Sequence, residues 1–257
     1  MNPKEKYVAF RAILDKEIRR ILRIWPQTLL PSAITMTLYF VIFGTFIGSQ
    51  IRDIEGFSYM AFIVPGVIMM AVITNSFTNT ASTFFSAKFM KNIEEILVSP
   101  MPNWIVLLGF VAGGMFRGLL VGIIVFGIAL LFTHLPVYSF GIIIAFILLT
   151  AIVFSLGGLL NGIFAKKFDQ VSIIPVFVLT PLTYLGGVFY SIKVLPQFFQ
   201  TLSLGNPILY MVNGFRYGFL GISDINIWIG LGMLFLFTVI FFVADLILLN
   251  KGVGIKT

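Results

Sequence analysis

Six long apolar runs, each closed by charge or proline, set the pattern of the chain: Leu29 to Ile47, Tyr59 to Thr80, Trp104 to Phe132, Phe140 to Phe164, Val171 to Gly187 and Ile227 to Leu249. A bilayer core of about 30 Å needs roughly 20 apolar residues per helix, so each run predicts a membrane span. The third is long enough that it must tilt or project. Between Phe10 and Trp25 the period changes. Phe10, Ile13, Leu14, Ile18, Ile21, Leu22 and Trp25 fall on one helical face, with Arg11, Asp15, Lys16, Arg19, Arg20 and Arg23 on the other. That segment predicts an amphipathic helix in the membrane interface, its basic face suited to anionic lipid headgroups. It is either a plain topological anchor or an elbow that also touches a partner.

Two further stretches are helical in pattern but too broken to span. From Lys88 to Pro102 the chain is too charged to insert and too apolar for an ordinary linker; Phe89, Ile93, Ile96 and Leu97 share one face, Glu94 and Glu95 point elsewhere, and Pro100 and Pro102 stop the helix. Docking into another subunit and packing beside its own spans both fit. Between Val188 and Gly221, apolar sequence is interrupted by Lys193, Pro196, Asn206, Pro207 and Arg216. Two short helices, Pro196 to Leu204 and Pro207 to Phe219, are expected to dip in from outside, because irregular backbone survives at membrane depth only where protein or water satisfies it. The fold class is therefore an all-α membrane protein of six transmembrane helices.

Composition agrees with lipid as the main solvent. Of 257 residues, 59% are apolar and 11% charged, with a mean hydropathy of +1.04, too little charge to coat a water-soluble globule. Thirteen of the 17 Lys and Arg residues fall in segments that an N-in, C-in topology places in the cytosol; Arg52, Lys193 and Arg216 fall outside. The net charge of +7 is thus a topology signal, and nucleic acid is not an expected partner. The basic stretch from Lys4 to Arg23 leads into a full-length span, so no cleavable signal is expected. The chain has no cysteine, which excludes disulfides, thiolate metal sites and a thiol nucleophile together.

Chemistry of its own is hard to find. No phosphate-binding loop of the Gly-x-x-x-x-Gly-Lys-[Ser/Thr] type occurs, nor His-Glu-x-x-His or Gly-x-Ser-x-Gly, and His134, the one histidine, falls at the outer end of the third run. An enzyme in its own right is not expected. A secondary carrier would place ionisable groups at mid-membrane; there Arg117 stands alone, without a carboxylate. Asn75, Thr78, Asn79 and Ser82 share a face of the second run at similar depth. They are candidate partners for Arg117, which either serves a translocation path or makes a structural hydrogen bond. Gly109, Gly113, Gly114, Gly118 and Gly122 in the third run, with Gly158 and Gly162 in the fourth, allow close helix approach. Packing within one subunit is expected ahead of dimer contact.

Three stretches together resemble the permease subunits of ABC-2 type transporters, the membrane half of ATP-driven exporters. They are Val64-Pro-Gly-Val with Ile93-Glu-Glu-Ile-Leu-Val-Ser-Pro100, Gly186-Gly-Val-Phe-Tyr190 with Leu195-Pro196, and Asn206-Pro-Ile-Leu-Tyr210 with Arg216. The resemblance covers nearly the whole chain, which it implies is one transmembrane domain, 1–257, in the bacterial inner (cytoplasmic) membrane. It implies an elbow helix at 1–25, a coupling helix at 88–99 and a re-entrant outer gate at 188–219. It further implies a homodimer around the translocation path and two copies of a soluble ATP-binding-cassette ATPase, which would hold ATP and magnesium; this chain would bind no cofactor and no metal. Glu94, Glu95, Ile96 and Leu97 would couple to the ATPase. Asn75, Asn79, Arg117, Tyr184, Phe189, Tyr190, Phe198, Phe199 and Tyr210 are the candidate path and gate residues, the bland reading of the aromatics being lipid contact. Family members often carry Gly-Thr just before the glutamate matching Glu94, where this chain has Lys91 and Asn92. Other function classes compatible with the spans are a membrane scaffold or sensor that anchors a soluble partner, and a secondary transporter.

Overall fold

The computed structural model describes residues 1–51 and 53–254, without the side chains of Glu94, Ile96 and Leu97. Among the described residues it is helical throughout, with no strand beyond an isolated bridge between Ile54 and Phe57. The N-terminal helix α1 (Pro3–Arg23) opens on a capping box in which the Asn2 backbone N–H donates to Glu5 Oε2 at 2.8 Å. Six helices are long and apolar enough to span: α2 (Trp25–Gln50), α3 (Tyr59–Phe89), α5 (Asn103–Ala129), α6 (Phe140–Phe164), α7 (Phe168–Leu185) and α10 (Ile227–Lys251). Between α3 and α5 lies the short α4 (Asn92–Val98), and before α10 come α8 (Gln197–Leu204) and α9 (Pro207–Leu220).

The second span differs from its expected end at Thr80: α3 continues nine residues further, to Phe89. Ser82, Ser86 and Lys88 end the apolar run without ending the helix, because Lys88 finds partners. Its Nζ donates to the carbonyls of Gly162 at 3.1 Å, Ile163 at 2.7 Å and Ala165 at 2.5 Å, capping the end of α6. The third span stops at Ala129 rather than Phe132, and the fifth runs from Phe168 to Leu185 rather than from Val171 to Gly187.

The spans divide sharply by coverage. In α3, 94% of the most apolar window is buried inside the molecule, against 17% in α2 and 11% in both α7 and α10. Helix α3 is the hub, wrapped by α5, α6 and α9. Glycines let it be approached: a Cβ at Gly114 would meet Thr80 Oγ1, one at Gly118 the Ser76 hydroxyl, and one at Gly158 the Phe77 carbonyl. On the other side of α5, a Cβ at Gly109 would meet Ile13 and one at Gly113 would meet Glu17. The glycine stripes therefore serve packing within the subunit.

Two of the three thinly covered spans, α2 and α7, are also irregular, whereas α10 is a continuous α-helix. Helix α2 turns π-helical over Phe40–Ile47 and α7 over Pro175–Leu179. In α7 Pro175 removes a backbone donor, and its own carbonyl accepts from the Thr180 hydroxyl at 3.0 Å.

Helices α8 and α9 stand where Pro196, Pro207 and Gly221 place them. Pro207 opens α9 behind the Asn206 cap, whose Oδ1 accepts from Ile208 N–H at 3.0 Å. Gly221 closes α9 at φ 71°. Most of α9 is buried.

Candidate functional site

At the end of the bundle away from the chain termini, α2 and α7 are joined by an aromatic cluster. Tyr184 and Tyr39 share a hydroxyl–hydroxyl hydrogen bond at 3.0 Å. Phe189 lies among Tyr39, Phe43 and Tyr184 at ring distances of 5.6, 4.7 and 5.9 Å. Its carbonyl accepts from Tyr59 at 3.0 Å, and Tyr190 donates to the Tyr184 carbonyl at 2.9 Å. Burial pushes the Tyr190 hydroxyl above its ordinary range. Of the predicted gate aromatics, then, Tyr184, Phe189 and Tyr190 come together. Phe198 and Phe199 do not join them: they form an exposed edge-to-face pair 5.4 Å apart on α8. Tyr210 is also separate, donating to the Leu204 carbonyl at 2.9 Å. Tyr39 and Phe43 complete the cluster, and sequence reasoning missed both because each sits inside an unbroken apolar run.

One buried arginine holds this cluster in place. The Arg216 guanidinium lies 3.8 Å from the centre of the Phe62 ring. It donates to the carbonyls of Phe62 at 3.1 Å, Gly187 at 2.6 Å and Val188 at 3.3 Å. Those bonds tie α9 and α3 to the Gly186-Gly187 turn that carries Phe189 and Tyr190. Nearby, Lys193 pairs with Glu55 at 2.6 Å and Asp224 at 3.5 Å, and Asp224 accepts from Ser191 at 2.7 Å. The hydrogen bond that Lys193 donates to Glu55 and the two carboxylate charges hold its ammonium above lysine's ordinary range.

About half-way along α3 a polar seam crosses the first three helices. Asn75 exchanges hydrogen bonds with Ser32 at 3.1 and 3.2 Å, and Asn79 accepts from Arg20 at 2.9 Å. Arg20 also pairs with the buried Glu17 at 3.0 Å. Burial is the largest influence on the Glu17 carboxyl and pushes it up, against the pull of Arg20 and Lys16. Arg117 is not bonded to the polar face of α3 as expected; its Nη2 donates to the Thr28 carbonyl at 3.1 Å. Asn75 and Asn79 instead accept from Ser32 and Arg20, and the Thr78 and Ser82 hydroxyls donate to carbonyls of their own helix at 2.7 and 3.1 Å.

Within α1, Ile13, Glu17 and Ile21 form the stripe buried against the bundle, whereas Leu22 and Trp25 are half exposed. A further group escaped the sequence search: Asp245, in the last span about 9 Å along the axis from Lys251, is fully buried and neither of its oxygens has a hydrogen-bond partner.

Helix α4 is anchored by Ile93, which is buried with Phe84, Val106 and Phe110. Phe89, Met90 and Val98 are exposed, Val98 at 87%, and so is Glu95. The side chains of Glu94, Ile96 and Leu97 lie outside the described set. Lys91, just before α4, adopts φ 61°, the left-handed region that favours glycine.

Residues 8–220 match the ABC-2 type transporter family. The chain belongs to that family: it is a multi-pass inner-membrane protein, a membrane transport permease. Among its relatives, the inner membrane transport permease YadH of Escherichia coli strain K12 is 56% identical over 251 residues, covering 98% of each chain. The same protein from Shigella flexneri matches equally. Nodulation protein J of Rhizobium leguminosarum bv. viciae is 23% identical over 217 residues, 83% of each chain.

Proposed function

We propose that this chain is the membrane half of an ATP-driven exporter. Two copies form the conduit, and two soluble ATP-binding-cassette ATPases, which hold ATP and magnesium, dock on the cytosolic face. The termini and α4 lie in the cytosol, and α8 with α9 re-enters from outside as part of the outer gate. The observation that carries the reading is the form of α4. Ile93 fixes it to the bundle while Phe89, Met90, Glu95 and Val98 remain uncovered. A helix so held is a rigid handle, since a load applied to its outer face passes through Ile93 to Phe84 of α3 and Phe110 of α5. The aromatic cluster joining α2 to α7 closes the far end and parts as the two spans separate. Cargo contacts there are with ring faces and tyrosine hydroxyls.

The test is co-purification with the ATPase in nanodiscs, read by pull-down and ATP hydrolysis. Val98→Asp with Met90→Ser should lose ATPase binding while the permease keeps its melting temperature. Unchanged binding and hydrolysis would overturn the handle.

One observation favours a second reading. The unpartnered Asp245 carboxyl is the kind of buried group an ion-coupled carrier uses. In that case flux continues without ATP, follows a proton gradient, and stops in Asp245→Asn.

A further inference from the structure

Helices α1 and α5 run side by side in one direction, for Ile13 lies over Gly109 and Glu17 over Gly113. One more four-residue step along both brings Ile21, with Arg20 beside it, level with Arg117. Two like charges brought level in this way repel each other. Only one carboxylate answers them: Glu17 pairs with Arg20, and among the described residues no acidic side chain forms an ion pair with Arg117. Helix α3 forms the third wall, since Asn79 accepts from Arg20, and Gly118, next to Arg117, packs on Ser76.

Three donors in this crease have nothing to donate to. Arg20 Nε, Arg117 Nε and Asn79 Nδ2 are all shielded from solvent and lack a hydrogen-bond partner. Such groups are rare in folded proteins, and charged ones are the most costly to leave unmet. Arg20 keeps 27% of its side chain exposed, so the crease is open to approach. Lys16, Arg19 and Arg23, exposed on the outer face of α1, gather anions around it.

We infer that this crease binds the phosphate group of an anionic amphiphile between Arg20 and Arg117. Phosphate oxygens accept from the forked guanidiniums and from the Asn79 amide together, and they supply the second negative charge that Glu17 alone does not. The site is distinct from the outer basic face of α1, which only concentrates anions, and it stands whether or not the chain works with an ATPase.

Native mass spectrometry of the full chain released from phosphatidylcholine nanodiscs doped with phosphatidic acid tests this. The wild type should retain phosphatidic acid in preference to phosphatidylcholine. Arg20→Gln and Arg117→Gln should each lower that retention about tenfold, the scale of a lost charge-assisted contact, while Arg23→Gln, which removes one gathering charge but no contact, should lower it by less than about twofold. Arg117→Lys, which keeps the charge and loses the fork, guards against misfolding of the other variants and should retain an intermediate amount. Equal retention of both lipids by the wild type, or an equal loss in Arg23→Gln, would overturn the site. Inorganic pyrophosphate divides the source: displacement of phosphatidic acid supports a site for phosphate itself, and resistance supports one that also needs the lipid tails.

Discussion

Helix α3 and the pair α2 and α7 are built from similar apolar sequence yet meet opposite surroundings. The most apolar window of α3 is 94% buried, whereas those of α2 and α7 are 17% and 11% buried. Apolarity in a membrane protein does not say whether a span faces protein or lipid; small and polar positions do. Facing α3 are Gly114, Gly118 and Gly158, while α3 itself carries Asn75, Ser76, Asn79 and Thr80 among its buried residues. The other two spans offer proline, π-helical turns and aromatic rings. We read the first arrangement as a fixed post and the second as the part that moves against a second copy.

The comparison is broken most severely at the post. Gly158→Leu should prevent folding or lower stability by about 3 kcal/mol, because its Cβ would press on the Phe77 carbonyl. Leucine at Gly127 or Gly232, where a Cβ meets nothing, should change little. Thermal unfolding in detergent separates the two results. Next in size is Arg216→Met, which strands three buried carbonyl acceptors and should cost about 2 kcal/mol. Loosening of the turn bearing Phe189 should appear as faster hydrogen exchange around Gly187 and Val188.

A smaller change of opposite sign is expected at α4. Lys91→Gly should stabilise by about 1 kcal/mol by relieving the left-handed residue at φ 61°, seen as a raised melting temperature. The smallest effect concerns Glu17. Because its carboxyl is pushed up in the folded chain, the native state binds the proton more readily than the unfolded one. That contribution is complete below the ordinary carboxyl range and is lost as pH rises through the raised value. Glu17→Gln should therefore gain on the wild type in melting temperature as pH rises from 4 toward neutral; a constant difference would contradict the raised carboxyl.

Much of the fold was legible because a bilayer imposes one length on every span and because Pro196, Pro207 and Gly221 punctuate the short helices. The ends were less so. Lys88 ended the apolar run, yet a tertiary contact with the end of α6 carried the helix past it. The site was read in part. Tyr184, Phe189 and Tyr190 lie close in sequence and meet in space, but Tyr39 and Phe43 join them from across the bundle, and no local pattern marks them. Glu17 was hidden by its company, since a charged residue between Ile13 and Ile21 looks like an interruption of an apolar stripe rather than its centre. Arg117 could be placed by depth alone; its partner, the Thr28 carbonyl, is a backbone group brought to it by tertiary packing that no side-chain pattern marks.

The chain has no cysteine, so a single introduced thiol reports on one position. The most direct test of the account is disulfide trapping in native membranes with the ATPase present, comparing Phe177→Cys on α7 with Phe235→Cys on α10, both exposed positions. The account predicts a covalent dimer through residue 177 whose yield changes when the ATPase is locked with a non-hydrolysable ATP analogue, and none through residue 235. A dimer trapped only through residue 235, or a yield at 177 indifferent to nucleotide, would contradict it.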